Sequence, residues 1–142
     1  MTQSFIADSL IASYLATNYQ IGAGADTISV QIDRYSQPLQ KLLAVTQHSC
    51  AAIVSAYNPQ SQRINDKENS AQHEQLKNLL QLRAYPFIES QNVDQLNQWP
   101  DEKSFFILGL DLNTARSLGQ QFNQNAIVWI ADDAIPHLMV LR

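Results

Sequence analysis

The chain has little of what usually betrays a function. Its 142 residues include one cysteine, four glycines and three histidines. A single thiol, Cys50, makes no internal disulfide, which fits a reducing cytoplasm. Nine Lys and Arg stand against thirteen Asp and Glu, for a net charge of −4, and the cations form no run. The basic surface that neutralises phosphates is missing, which argues against a nucleic-acid partner. No apolar stretch approaches the ~20 residues that cross a bilayer. The opening segment MTQSFIADSLIASYLATNYQIG has no basic residue, the first being Arg34, and Asp8 interrupts its apolar part. A signal peptide is therefore not expected, and the chain reads as soluble and cytoplasmic.

The scarce residues also fail to assemble into familiar sites. GAGAD (22–26) holds two of the glycines, but it lacks the third of a dinucleotide fingerprint and follows a helix instead of preceding one. It reads as a connector. His48 and Cys50 together supply two zinc ligands of the usual four, so neither metal nor cofactor is expected.

What is present is a core and an abundance of amides. Hydrophobic residues make up 45% of the chain and charged ones 15%, a globular composition for one domain over residues 1–142. Seventeen Gln and ten Asn are scattered along it. Residues 3–19 place Phe5, Ile6, Leu10, Ile11, Tyr14 and Leu15 at helical spacing. TISVQI (27–32) alternates like a strand, and SQPLQKLLAV (36–45) reads as a short helix. CAAIVSAY (50–57) is a buried strand by its length and bounds. Asn65, with Glu68 three places on, caps a helix through residue 83, whose polar first half is expected to protrude into solvent. PFIES (86–90) and SFFILGL (104–110) are strands joined by a long polar connection, 91–103. Asp111 caps a helix over 112–122, in which Gly119 predicts close packing on a sheet. AIVWIA (126–131), a turn at Asp132–Asp133 and PHLMVL (136–141) complete the chain.

From residue 50 the order β-α-β-β-α-β is that of a ferredoxin-like α+β core, with one extra C-terminal strand. Residues 1–49 form a helix-strand-helix extension that covers an edge or the open face of the core 50–142. Tracing the chain predicts that three polar segments meet at one end: NPQS after residue 57, the WPDE loop, and NQN at 123–125. There Asn58 precedes Pro59 and is expected to be extended. Ser61 stands near a helix N-terminus, where Arg63 could bind an anion. Trp99 offers a flat apolar surface, and Gln124 and Asn125 offer donors and acceptors.

AYNPQS, ENSAQHEQL, WPDEKSFFILGLDL and FNQNAIVWI, in this order, resemble a bacterial family of small cytosolic proteins, the domain of unknown function 3293. The resemblance covers roughly 50–142 and picks out Asn58, Pro59, Ser61, Glu68, Asn69, Gln124 and Asn125. Asn123 stands where the family motif has Gly, a position Asn can take because it tolerates a left-handed backbone. The resemblance implies no activity.

The expected function is a non-enzymatic binding module whose cleft recognises a small polar or nucleotide-like ligand or a peptide. One alternative is a hydrolase or transferase with Glu68 as base and Ser61 as nucleophile. Another is an interaction module that pairs with a protein partner or with a second copy of itself.

Overall fold

The computed structural model describes residues 7–97 and 99–142. In chain order the elements are α1 (Asp8–Leu15), β1 (Thr17–Ile21), β2 (Ile28–Val30), α2 (Gln37–Thr46), β3 (Ala51–Val54), α3 (Asp66–Leu82), β4 (Phe87–Asp94), β5 (Glu102–Leu108), α4 (Leu112–Gln121), β6 (Ala126–Ile130) and β7 (Pro136–Val140). The seven strands form one curled sheet in the order β2-β1-β4-β5-β3-β6-β7. Every neighbouring pair is antiparallel.

The alternation of side chains along the strands divides the core in two. Phe105 and Ile107 of β5, with Ala52 and Val54 of β3, face α3 and α4, whose Leu76, Leu80, Ala115 and Leu118 close that side. We call this the outer face. Phe106 and Leu108, with Ala51 and Ile53, point the other way, toward Tyr19, Val30, Leu39 and Leu43. On this inner face α2 covers the sheet while β1 and β2 extend it beyond β4, so the N-terminal segment serves both as cover and as added edge. β3 is buried along its whole length because both faces are covered.

Local signals in the sequence explain the boundaries. Ser36 caps α2 by accepting a hydrogen bond from the Leu39 N–H, Asn65 caps α3 through Glu68 N–H, and Asp111 caps α4 through Thr114 N–H. Gly119 sits where a Cβ would lie 2.6 Å from both Ile127 Cγ2 and Leu141 Cδ1, so α4 reaches the sheet only because a side chain is missing there.

Three expectations are corrected. The predicted helix 3–19 ends at Leu15, and Thr17, Tyr19 and Ile21 become alternate buried positions of a strand. β-branched and aromatic residues that can pair with β4 outweigh the helical periodicity; Phe5 and Ile6 lie outside the described residues. The connection 91–103 is shorter than expected, because β4 runs on to Asp94 and β5 starts at Glu102. Its polar letters hide strand because Ser90 and Asp94 are buried while remaining hydrogen-bonded. Lastly, the first half of α3 does not protrude freely. Asn69 and His73 are buried and continue the stripe of Leu76 and Leu80 at helical spacing.

Candidate functional site

The three polar segments converge as the topology predicts. Asn125 Nδ2 donates to Ser61 Oγ at 2.8 Å, Gln124 Nε2 donates to the Tyr57 carbonyl at 3.2 Å, and Asn58 Nδ2 donates to Glu102 Oε2 at 2.7 Å. Between them, at one end of the inner face, lies an open cleft. Leu10, Ser13 and Tyr14 of α1 form one wall, and Trp99 and Pro100 another. Inward-facing strand residues, among them Tyr19, Asn92 and Glu102, make the floor.

Asn58 is the structural hinge of this end. Its side-chain Oδ1 accepts from the Ile64 N–H at 3.1 Å and from Asn69 Nδ2 at 2.9 Å. Asn69 Oδ1 in turn accepts the Asn58 N–H at 2.8 Å. With its oxygen committed twice, the Asn58 amide has one remaining orientation, and its N–H₂ is directed at Glu102. The backbone is left-handed at Asn58 (φ 45), Gln60 (φ 57) and Ser61 (φ 58). Asn58 is therefore not extended as its place before proline suggested. The reciprocal bonds with Asn69 outweigh that local preference, and Asn accepts a positive φ better than most residues. Asn123, also left-handed (φ 56), receives the Gln60 N–H on its carbonyl, so one strained turn buttresses the other.

Glu102 is the chemically distinctive group. Burial pushes its carboxyl up to about 7, and the Asn58 hydrogen bond pulls it back only in part. Among the described residues nothing donates a hydrogen bond to its other oxygen, Oε1. Asp94, which also lines the cleft, uses its carboxylate to accept the N–H groups of Leu96 and Trp99. Below, Ser104 Oγ donates to Asn92 Oδ1 at 2.7 Å and lies 2.7 Å from Ser90 Oγ. Desolvation raises the phenols of Tyr14 and Tyr19, so both stay neutral at physiological pH.

Of the residues singled out from sequence, Asn58, Ser61, Trp99 and Gln124 line the cleft. Asn125 touches it through Ser61, and Asn69 supports it from behind through Asn58. Pro59 lies in the same turn. Arg63 and Glu68 are exposed and do not line it; Glu68 accepts from Asn65 Nδ2 in the α3 cap. Sequence reasoning missed Tyr14, Tyr19, Asn92 and Asp94. The first two were assigned to one long helix, and the last two to a loop. An alternation read from Ser90 through Asp94 would have been the available signal.

Ser61 Oγ lies 3.1 Å from Tyr14 OH and accepts from Asn125, and neither neighbour is a base. Burial raises the Cys50 thiol, which donates weakly to the Leu110 carbonyl, so it is held as the thiol. No group of three His, Cys, Asp or Glu among the described residues could hold a metal. No described helix is long and apolar enough to cross a membrane.

The fold and cleft define a small mixed α/β protein with an antiparallel sheet and a polar pocket at one end of its inner face. The chain belongs to the family Protein of unknown function (DUF3293), which matches residues 54–127, just over half its length. That span runs from the end of β3 to the start of β6 and includes Asn58, Glu102 and Gln124. No curated protein and no solved structure matches the chain.

Proposed function

We propose that the protein is a non-enzymatic binding module whose cleft recognises a small polar molecule, with Glu102 as the anchoring group. One observation carries this reading: a carboxylate lining a cavity, held by a single side-chain hydrogen bond from Asn58, with no described residue donating to its second oxygen. Burial disfavours the charged form of this carboxylate, so its natural complement is a ligand that pairs with it. Trp99 and Tyr14 supply apolar area around it. The strand order β4-β5-β3-β6, with β5 lying between β3 and β4, supports a ferredoxin-like reading of the core. The lone thiol favours a cytoplasmic setting.

The test is a thermal-shift screen of small polar metabolites against the native chain and Glu102→Gln. At least one compound is expected to raise the melting temperature of the native chain by several degrees and of the variant by much less. A screen that moves neither protein would end the proposal. A catalytic reading has one observation in its favour, that Glu102 titrates near neutrality. It would use Glu102 as the base in place of Glu68, and turnover of any ester or amide panel member, lost in Glu102→Gln, would favour it.

A further inference from the structure

We propose that the ligand presents a positively charged nitrogen, an alkylammonium or guanidinium, seated on the Glu102 carboxylate between Tyr14 and Trp99, which line the cleft on two sides. The inference rests on the binding reading above and narrows its ligand class. The chain has nine Lys and Arg and three His, yet none of them lines the cleft. Arg63, the cation nearest in sequence to the NPQS turn, is exposed and outside it. An anionic group entering here would meet Glu102 with no cationic side chain among the described lining residues, and desolvation would strengthen the repulsion. A neutral ligand would leave the carboxylate's cost unrelieved. A cation relieves it, and Tyr14 and Trp99 line the space around it.

Asn58 makes the direction one-way. Its Oδ1 is held by Ile64 and Asn69, so the amide cannot turn over to offer an acceptor, and Glu102 is the acceptor an ammonium would find. The titratable groups facing Glu102 across the cleft are Tyr14 from α1, Tyr19 from β1, Tyr57 after β3 and Asp94 from β4; β6 and β7 contribute none. Both tyrosines with shifted phenols are held neutral, so the proton that leaves when a cation binds comes from Glu102.

Isothermal titration calorimetry of the full chain with putrescine and agmatine, against butane-1,4-diol, succinate and inorganic phosphate, tests this. The amines should bind at least about tenfold more tightly than the diol, and the anions more weakly still. Near about pH 6, the heat of amine binding should vary with buffer ionisation enthalpy in the sense of proton release, and near about pH 8.5 it should not. Glu102→Gln should lose that proton release and most of the affinity; Trp99→Ala should lose affinity and keep the release. Tighter binding of the diol or of either anion overturns the cation assignment and leaves the binding module standing. Amine binding unchanged in Glu102→Gln, with the variant's fold intact by circular dichroism, overturns it too. If none of the five compounds binds while the metabolite screen yields a neutral or anionic ligand, the assignment fails alone; if that screen is also blank, both fail.

Discussion

Burial shifts a titratable side chain on each face of the sheet, and the two faces treat it in opposite ways. On the outer face His73 lies stacked on Phe105, with ring centroids 4.3 Å apart and an interplanar angle of 9°, and edge-on to Tyr57. Burial lowers its pKa, so the ring is neutral at physiological pH and behaves as one more aromatic residue in an apolar layer. On the inner face Glu102 sits among hydroxyls and amides on the floor of a cavity, poised between its two protonation states near neutrality. The contrast separates packing from function. Where helices α3 and α4 close over the sheet, charge is suppressed; where the curl leaves the sheet open, charge is retained at a cost to stability.

The largest effect should come from breaking the closed face. Phe105 is fully buried and meets His73 on one side and Phe87 edge-on at 5.0 Å on the other. Phe105→Ala should cost about 3–5 kcal/mol, measured by urea unfolding. Since Phe105 points away from the cleft, ligand binding by the fraction that stays folded should be unchanged.

Asn58→Ala comes next and tests whether the open face is also architectural. The substitution removes the acceptor for Ile64 N–H and Asn69 Nδ2 and places Ala at a positive φ. A loss of about 2–4 kcal/mol is expected, together with loss of binding. Asn58→Gly relieves the backbone but not the hydrogen bonds, so it should recover about 1 kcal/mol of stability and none of the binding. Equal stabilities for the two variants would remove backbone strain from the account.

Glu102→Gln should have the opposite sign. Burial pushes the Glu102 carboxyl up to about 7 in the folded chain, against 4.5 for a solvated glutamate. Between those values the native state holds the proton more firmly than the unfolded state, so native stability falls as pH rises from about 4.5 to about 7 and then levels off. Gln keeps an acceptor for Asn58 and carries no charge. At about pH 8 the variant should be more stable than the native chain by about 2–3 kcal/mol, and near pH 4 the two should converge. A difference independent of pH would mean that Glu102 is well solvated, and the contrast between the faces would be lost.

These outcomes bear on how much of the molecule its sequence discloses. The caps Ser36, Asn65 and Asp111, the strand around Phe105 and the tight approach at Gly119 are legible because each is a local rule that the tertiary structure obeys. The meeting of Asn58, Trp99 and Gln124 is legible one level up, from the order of elements. The floor of the cleft is not. Thr17, Asn92 and Asp94 are polar residues on inward-facing strand positions, where the usual pattern expects apolar ones. β1 and the far half of β4 pair with each other, Thr17 opposite Asp94, so neither shows its strand character without its partner. The order of elements brings Glu102 to this end too, but as a loop carboxylate in WPDEK it reads as solvated, and only its place at the start of β5 shows it lining the cavity.

His73→Phe should give the smallest change and the sharpest check on the closed face. His73 Nδ1 is buried without a hydrogen-bond partner, while Nε2 lies 3.8 Å from Glu89, too far to bond well. Phenylalanine fits the same stack on Phe105 and removes the orphaned nitrogen, which should stabilise the chain by about 1 kcal/mol near pH 8. Below about pH 6.5 the unfolded state takes up a proton at this histidine that the folded state resists, so the native chain loses stability as pH falls and the variant does not. Glu89 and Glu74 work against that loss and Lys103 adds to it, but burial outweighs all three. The advantage of the variant should therefore widen on acidification, while that of Glu102→Gln widens on alkalinisation. Urea unfolding of both variants across about pH 4 to 8 reads the two slopes directly. If the His73 slope ran the same way as the Glu102 slope, Glu89 would be holding a charged imidazolium on the outer face, and the two faces would no longer differ in how they treat charge.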